Sequence, residues 1–210
     1  MAAAGNLYIN APDQAWSGNI TWASDTIKCA LLTASYTPNL GTHIHWSDIS
    51  ANEVSGTGYT AGGATLASKT HTVTVANSWG TTWAASTPFS AGTVIRPATG
   101  NGFLYYAEAG GTSGATTPTW PTTVGATVVD SGVTWTCEGQ GITVWSSSAP
   151  SWTSSTITAE YAVLVDTATG TASTEPLICL QNMGTTESDS NGTFTVTPSS
   201  TLGWFYQFTA

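Results

Sequence analysis

A few residues of this 210-residue chain have types and spacings that chemistry can use. His43 and His45 alternate, so a strand would place both imidazoles on one face, with Asp48 three residues on. A His-x-His pair with a carboxylate is the kernel of a metal site. The third imidazole would have to be His71, and no HExxH-like pattern accompanies the pair. The plain reading is a loop with partly exposed histidines. Glu53, Asp166 and Glu175 are carboxylates of the kind glycoside hydrolysis uses as acid and as nucleophile or base. Each sits near turn signals, and nothing in the spacing pairs them. Glu187-Ser188-Asp189-Ser190-Asn191-Gly192 alternates oxygen side chains as a calcium loop does, without that loop's terminal Glu. It reads as a polar hairpin turn. Neither a GxSxG motif nor a P-loop occurs. The expectation is a non-enzymatic protein with no cofactor and no metal.

Aromatic rings are the other chemical resource. Tyr105, Tyr106, Trp120 and Trp135 are candidates for stacking on sugar rings, which works best with exposed, coplanar faces. The same rings could instead form the core of a small module that has little else to bury. Three cysteines, Cys29, Cys137 and Cys179, form no CxxC pair and no even-numbered framework. They read as buried free thiols acting as small apolar residues.

The elements that position these residues follow from composition. Charged side chains make up 7 % of the chain, the net charge is −9, and Lys plus Arg number three. No phosphate-neutralising patch can be built from three cations, so neither nucleic acid nor an anionic membrane surface is an expected partner. No apolar run is long enough for a transmembrane helix. The start, Met1-Ala2-Ala3-Ala4-Gly5, lacks the basic and apolar regions of a secretory signal. Apolar residues at 40 % and aromatics at 10 % are too abundant for a disordered chain.

Thr, Val, Trp and Tyr outweigh good helix formers, which favours strands. Ile27–Leu32 reads as a largely buried strand. Alternation recurs over residues 70–75, 158–165, 177–180 and 192–197, with turn signals between. A short helix fits only near residues 46–54, where Ser47 or Asp48 could cap it. Many short strands with regular turns imply an all-β antiparallel sandwich or barrel. Thr stands on outer strand faces where Lys and Glu are usual, which removes one common guard of sheet edges. Such a surface suits a protein living in an assembly. Leu7-Tyr8-Ile9-Asn10-Ala11-Pro12 reads as an extended arm able to add a strand to a neighbour or to complete its own sheet.

Residues 78–141 differ from their flanks. They hold four of the ten Trp and several Gly-rich turns, and they read as a small β module inserted in a loop of a discontinuous host domain, 1–77 plus 142–210. The module carries a charge of −2 and the host −7.

Two segments carry a resemblance. Ile27 to Asn39, continued through Trp46 to Leu66 and matched by residues 155–163 and 191–196, resembles a family of tailed-bacteriophage virion structural proteins. Within 78–141, Trp83, Gly92 to Pro97, Tyr105-Tyr106, Pro118 to Pro121 and Val133 to Trp135 resemble a small module of phage tail and capsid-associated proteins. That module is also similar to carbohydrate-binding modules of chitinases. The resemblance implies a capsid decoration (cement) protein, a homotrimer on the outside of the major capsid protein lattice, with the insert projecting outward. It implies assembly in the host cytoplasm and exposure on the virion surface. The alternative is a tail, fibre or baseplate component that binds host-surface glycans.

Overall fold

A computed structural model describes residues 5–209. In chain order its strands are β1 (Asn6–Leu7), β2 (Ile27–Leu32), β3 (Ala64–Thr65), β4 (Thr70–Val75), β5 (Thr81–Thr82), β6 (Pro88–Phe89), β7 (Val94–Arg96), β8 (Leu104–Ala107) and β9 (Gly111–Thr112). They continue as β10 (Thr127–Asp130), β11 (Val133–Gly139), β12 (Gly141–Ser146), β13 (Ser151–Ser155), β14 (Thr158–Asp166), β15 (Leu177–Ser188), β16 (Gly192–Thr195) and β17 (Phe205–Thr209). One six-residue helix, α1 (Ala11–Trp16), and short 3-10 turns complete the elements. The protein is all-β and sandwich-like, built from several antiparallel sheets. No helix among the described residues is long and apolar enough to cross a membrane.

The chain divides into two compact units, 5–71 with 144–206 and 72–143 with 207–209. The composition change places the inserted module at 78–141. The compact unit around it takes in a few more residues on each side, together with the C-terminal residues 207–209.

The first unit is organised by an antiparallel sheet of order β1-β15-β14-β2-β3. Its two central strands are apolar on both sides, because the sheet is covered on both faces. Cys29, Leu31, Ala162 and Leu164 turn to one cluster, where Trp152 and Phe194 of the paired strands β13 and β16 pack on them with Trp22 and Trp204. Ala30, Leu32, Val163 and Val165 turn to the other, with Tyr8, Tyr36, Trp46 and Ile49. Antiparallel sheets usually leave one face wet, and the uninterrupted apolar runs Cys29–Leu32 and Tyr161–Val165 are the signature of a sheet that does not. The turns near Trp46 and Ile49 sit where the sequence places a short helix, and they are 3-10 rather than α.

The second unit holds a sheet of order β10-β11-β8-β7-β5 and a two-stranded pair, β6 with β9. All pairings in the larger sheet are antiparallel except β5 with β7. β11 alternates strictly: Val133, Trp135 and Cys137 are buried, while Thr134, Thr136 and Glu138 are partly exposed. One face of this sheet therefore carries the unit's aromatic core.

Candidate functional site

The chemistry-bearing residues of the second unit converge on a buried carboxylate. Asp130 ends β10 and is 4 % exposed. Its Oδ2 accepts from the indole N–H of Trp83 at 2.8 Å and from that of Trp135 at 3.0 Å. Its Oδ1 accepts from the backbone N–H of Gly114 at 2.8 Å. One side chain thus joins β10, β11, the segment just after β5 and the loop after β9. Charge-assisted bonds of this kind are about twice as strong as neutral ones.

Three of the four ring candidates lie around this centre. Trp120 packs on Tyr105 with centroids 4.5 Å apart, on Trp135 at 6.2 Å and on Trp83 at 6.3 Å. The Tyr105 hydroxyl accepts from Asn101 Nδ2 and donates to the Pro121 carbonyl, both at 2.7 Å. Tyr105 and Trp135 are fully buried, so neither ring has a face for a ligand. For these two, the sugar-stacking expectation is corrected: they form the module's core, because a unit this small has few other large rings to bury. Trp120 remains partly exposed at the edge of that core. Tyr106 lies apart from the other three. Adjacent strand residues face opposite ways, and Tyr106 stands directly across from Thr136 on the outer face. Nearby, Thr136 donates to Glu108 at 3.0 Å. Burial, and then the charge of Glu108, push the Glu138 carboxyl up.

The N-terminal segment of the first unit completes its own sheet. Asn6 and Leu7 pair with Leu180 and Cys179 of β15. Tyr8 is fully buried, and its hydroxyl lies 3.1 Å from that of Tyr36, which lies 2.9 Å from His43 Nδ1. The reading of residues 7–12 as one extended arm is corrected from Ala11 onward, where α1 begins with Pro12 in its first turn and Asp13 behind it. Pro and Asp both suit a helix start. Two large apolar side chains flank this helix in the open: Ile9 at 71 % exposure and Trp16 at 94 %.

Three of the candidate carboxylates, Asp48, Glu53 and Asp189, have structural duties. Asp48 Oδ2 accepts the N–H groups of Ile44 at 2.8 Å and His45 at 2.9 Å, which closes the turn and holds its carboxyl below the usual range. Glu53 Oε1 accepts from the Tyr59 hydroxyl at 2.7 Å and the Gly62 N–H at 2.6 Å. Asp189 accepts from Ile157 N–H at 2.8 Å and from the Ser155 hydroxyl, fastening the β15–β16 turn to the start of β14. Cys29, Cys137 and Cys179 are buried free thiols, and burial pushes all three up. Among the described residues, no group of three or more His, Cys, Asp and Glu is placed to hold a metal ion. Alternation along β11 is the signal that would have put Trp135 in the core. No local signal marks Asp130, whose partners lie 5, 16 and 47 residues away. Against known protein families, curated proteins and solved structures, the chain has no match.

Proposed function

We propose that this chain is a non-enzymatic structural protein of a tailed-bacteriophage virion that binds the outside of the major capsid lattice, as a homotrimer, and stabilises the head. The observation that carries this reading is Trp16, almost wholly in the open at the end of α1 with Ile9 exposed ahead of it. Isolated exposed aliphatics are ordinary on soluble proteins, but an exposed Trp is the residue type most enriched among energetic anchors of protein interfaces. Its surroundings fit docking by shape and hydroxyls, because the chain has few cations for ion pairing. The resemblance over residues 27–39, 46–66, 155–163 and 191–196 supplies the partner class.

The test uses particles. Heads lacking the protein should rupture at lower temperature or under milder osmotic shock, and adding the protein back should restore them. Trp16→Ser with Ile9→Ser should leave the thermal melt unchanged and weaken attachment at least tenfold, since losing one central anchor costs about 2 kcal/mol or more. Unchanged attachment overturns the assignment of Trp16, and unchanged head stability without the protein overturns the cement role. Copy number decides against the tail, fibre or baseplate reading: hundreds of copies fit the capsid, a few dozen or fewer fit the tail. The glycan-binding part of that second reading now rests on Tyr106 and Trp120 alone.

A further inference from the structure

We infer that the cavity lined by β2, the Trp46 turn and the turn after β14 is a binding site for a small α-amino acid, held as a zwitterion between Lys28 and Glu175. The cavity measures about 350 Å³, at the small end of the range for ligand pockets. Lys28, Trp46, Thr167 and Glu175 all stand on its wall. Glu175 is 8 % exposed. Among the described residues its carboxylate accepts no hydrogen bond and makes no ion pair. A carboxylate this deep is costly unless donors meet it. Its missing donors must come from whatever fills the cavity.

The main chain around the two charges is fixed before anything binds. Lys28 lies within β2, across from Val165 of β14 on one side and Thr65 of β3 on the other. Its Nζ lies against the Gly62 turn, where an added Cβ would stand 3.6 Å from it. Gly62 lines the cavity too. Glu175 is pinned through its backbone: its carbonyl accepts the Trp46 N–H at 2.9 Å. The carbonyl of the next residue, Pro176, accepts the N–H of Asp166, a buried residue at the end of β14, at 3.0 Å. Thr167 ties the turn after β14 to the start of β2. It donates to the Thr26 carbonyl from its N–H at 2.9 Å and from its hydroxyl at 2.8 Å. A frame held in this way needs little ordering when a ligand arrives.

Opposite charges on one wall decide the ligand. Among the described residues Lys28 makes no ion pair and no side-chain hydrogen bond, with Glu175 or with any other group. Burial pushes the Glu175 carboxyl up, and the Lys28 charge opposes that rise. A molecule bearing an ammonium alone would pair with Glu175 and be repelled by Lys28. A molecule bearing a carboxylate alone would meet the reverse. A zwitterion satisfies both groups at once, and the repulsion of singly charged ligands supplies the selectivity. The cavity volume admits the charged head of an amino acid with a small side chain.

NMR of the backbone amides on the intact chain tests this with serine as the probe. Amides of residues 26–28, 46 and 165–175 should shift and saturate. N-acetylserine lacks the ammonium, and serine methyl ester lacks the carboxylate. Each should bind weaker by about tenfold or more, the loss expected when one partner of a desolvated charge pair is removed. Glucose, a neutral polyol, should not saturate these shifts. No saturable shift with serine, or equal affinity for serine and both blocked forms, overturns the site. Saturation by glucose but not by serine overturns the ligand class. In Glu175→Gln the ammonium loses its partner and the blocked form loses its repulsion. The gap between serine and N-acetylserine should therefore close in that variant, and an unchanged gap overturns the role of Glu175. If the variant does not fold, the wild-type series still decides.

Discussion

Asp130→Ala should unfold the 72–143 unit while the five-stranded sheet of the other unit keeps its protection. Three donors lose their acceptor at once: the indoles of Trp83 and Trp135 and the N–H of Gly114. Trp135 is fully buried and Trp83 nearly so, so neither indole can turn to water without leaving the core. A buried donor left unsatisfied costs roughly 1–3 kcal/mol, and three of them amount to about 3–9 kcal/mol. A unit of about 70 residues has a total stability of only roughly 4–10 kcal/mol. Trp120, which packs on Tyr105 and Trp135, would lose its seat as they move. Hydrogen exchange read by mass spectrometry checks the outcome peptide by peptide. Peptides from 94–112 and 127–139 should lose protection, and peptides from 27–32 and 158–166 should keep it. Asp130→Asn retains one acceptor oxygen and should fall between the wild type and Asp130→Ala. Uniform protection in Asp130→Ala would show that the carboxylate is dispensable.

How such a residue escapes a reading of the sequence is instructive beside what does not escape. β2 and β14 were legible because burial on both faces leaves an apolar run within each, Cys29–Leu32 and Tyr161–Val165, which few other arrangements produce. β15 was legible only over its first third. From Asn182 onward it is exposed apart from the partly buried Met183, and Thr, Glu and Gly along an open edge look like a turn. α1 is too short for a helical period to show, and its markers are only Pro12 and Asp13 at its start. The ring candidates divide by geometry that sequence already contains. Tyr105 and Tyr106 are consecutive on a strand, so only one could face the core, and Trp135 shares its side with Val133 and Cys137. Asp130 differs in kind. Its importance lies in three donors brought from distant positions, and no spacing encodes that convergence.

Gly63→Ala should cost far more than the same change one residue earlier, although both glycines belong to one turn signal. Gly62 and Gly63 both have left-handed backbone, φ +85° and +78°. An alanine there pays roughly 1–2 kcal/mol of backbone strain at either position. What separates them is what a Cβ would touch. At Gly62 the nearest atom is Nζ of Lys28 at 3.6 Å, the end of a flexible side chain. At Gly63 the Cβ would overlap the main-chain carbonyl of Cys29 and stand 2.7 Å from Cα of Ala30. Those atoms belong to β2, whose residues are anchored in the cores on both sheet faces, so the strand cannot give way cheaply. The turn must retreat instead, breaking the pairing of Ala64 with Cys29 that joins β3 to the sheet. It would also pull on the Glu53 carboxylate, which accepts the adjacent Gly62 N–H. A total near 3–4 kcal/mol follows from strain plus overpacking. That corresponds to a melting point lower by about 6–16 °C at this chain length, against about 2–8 °C for Gly62→Ala. Thermal melts of the two variants side by side make the comparison. Equal losses would mean that backbone strain alone sets the cost and that the approach to β2 is not what demands glycine.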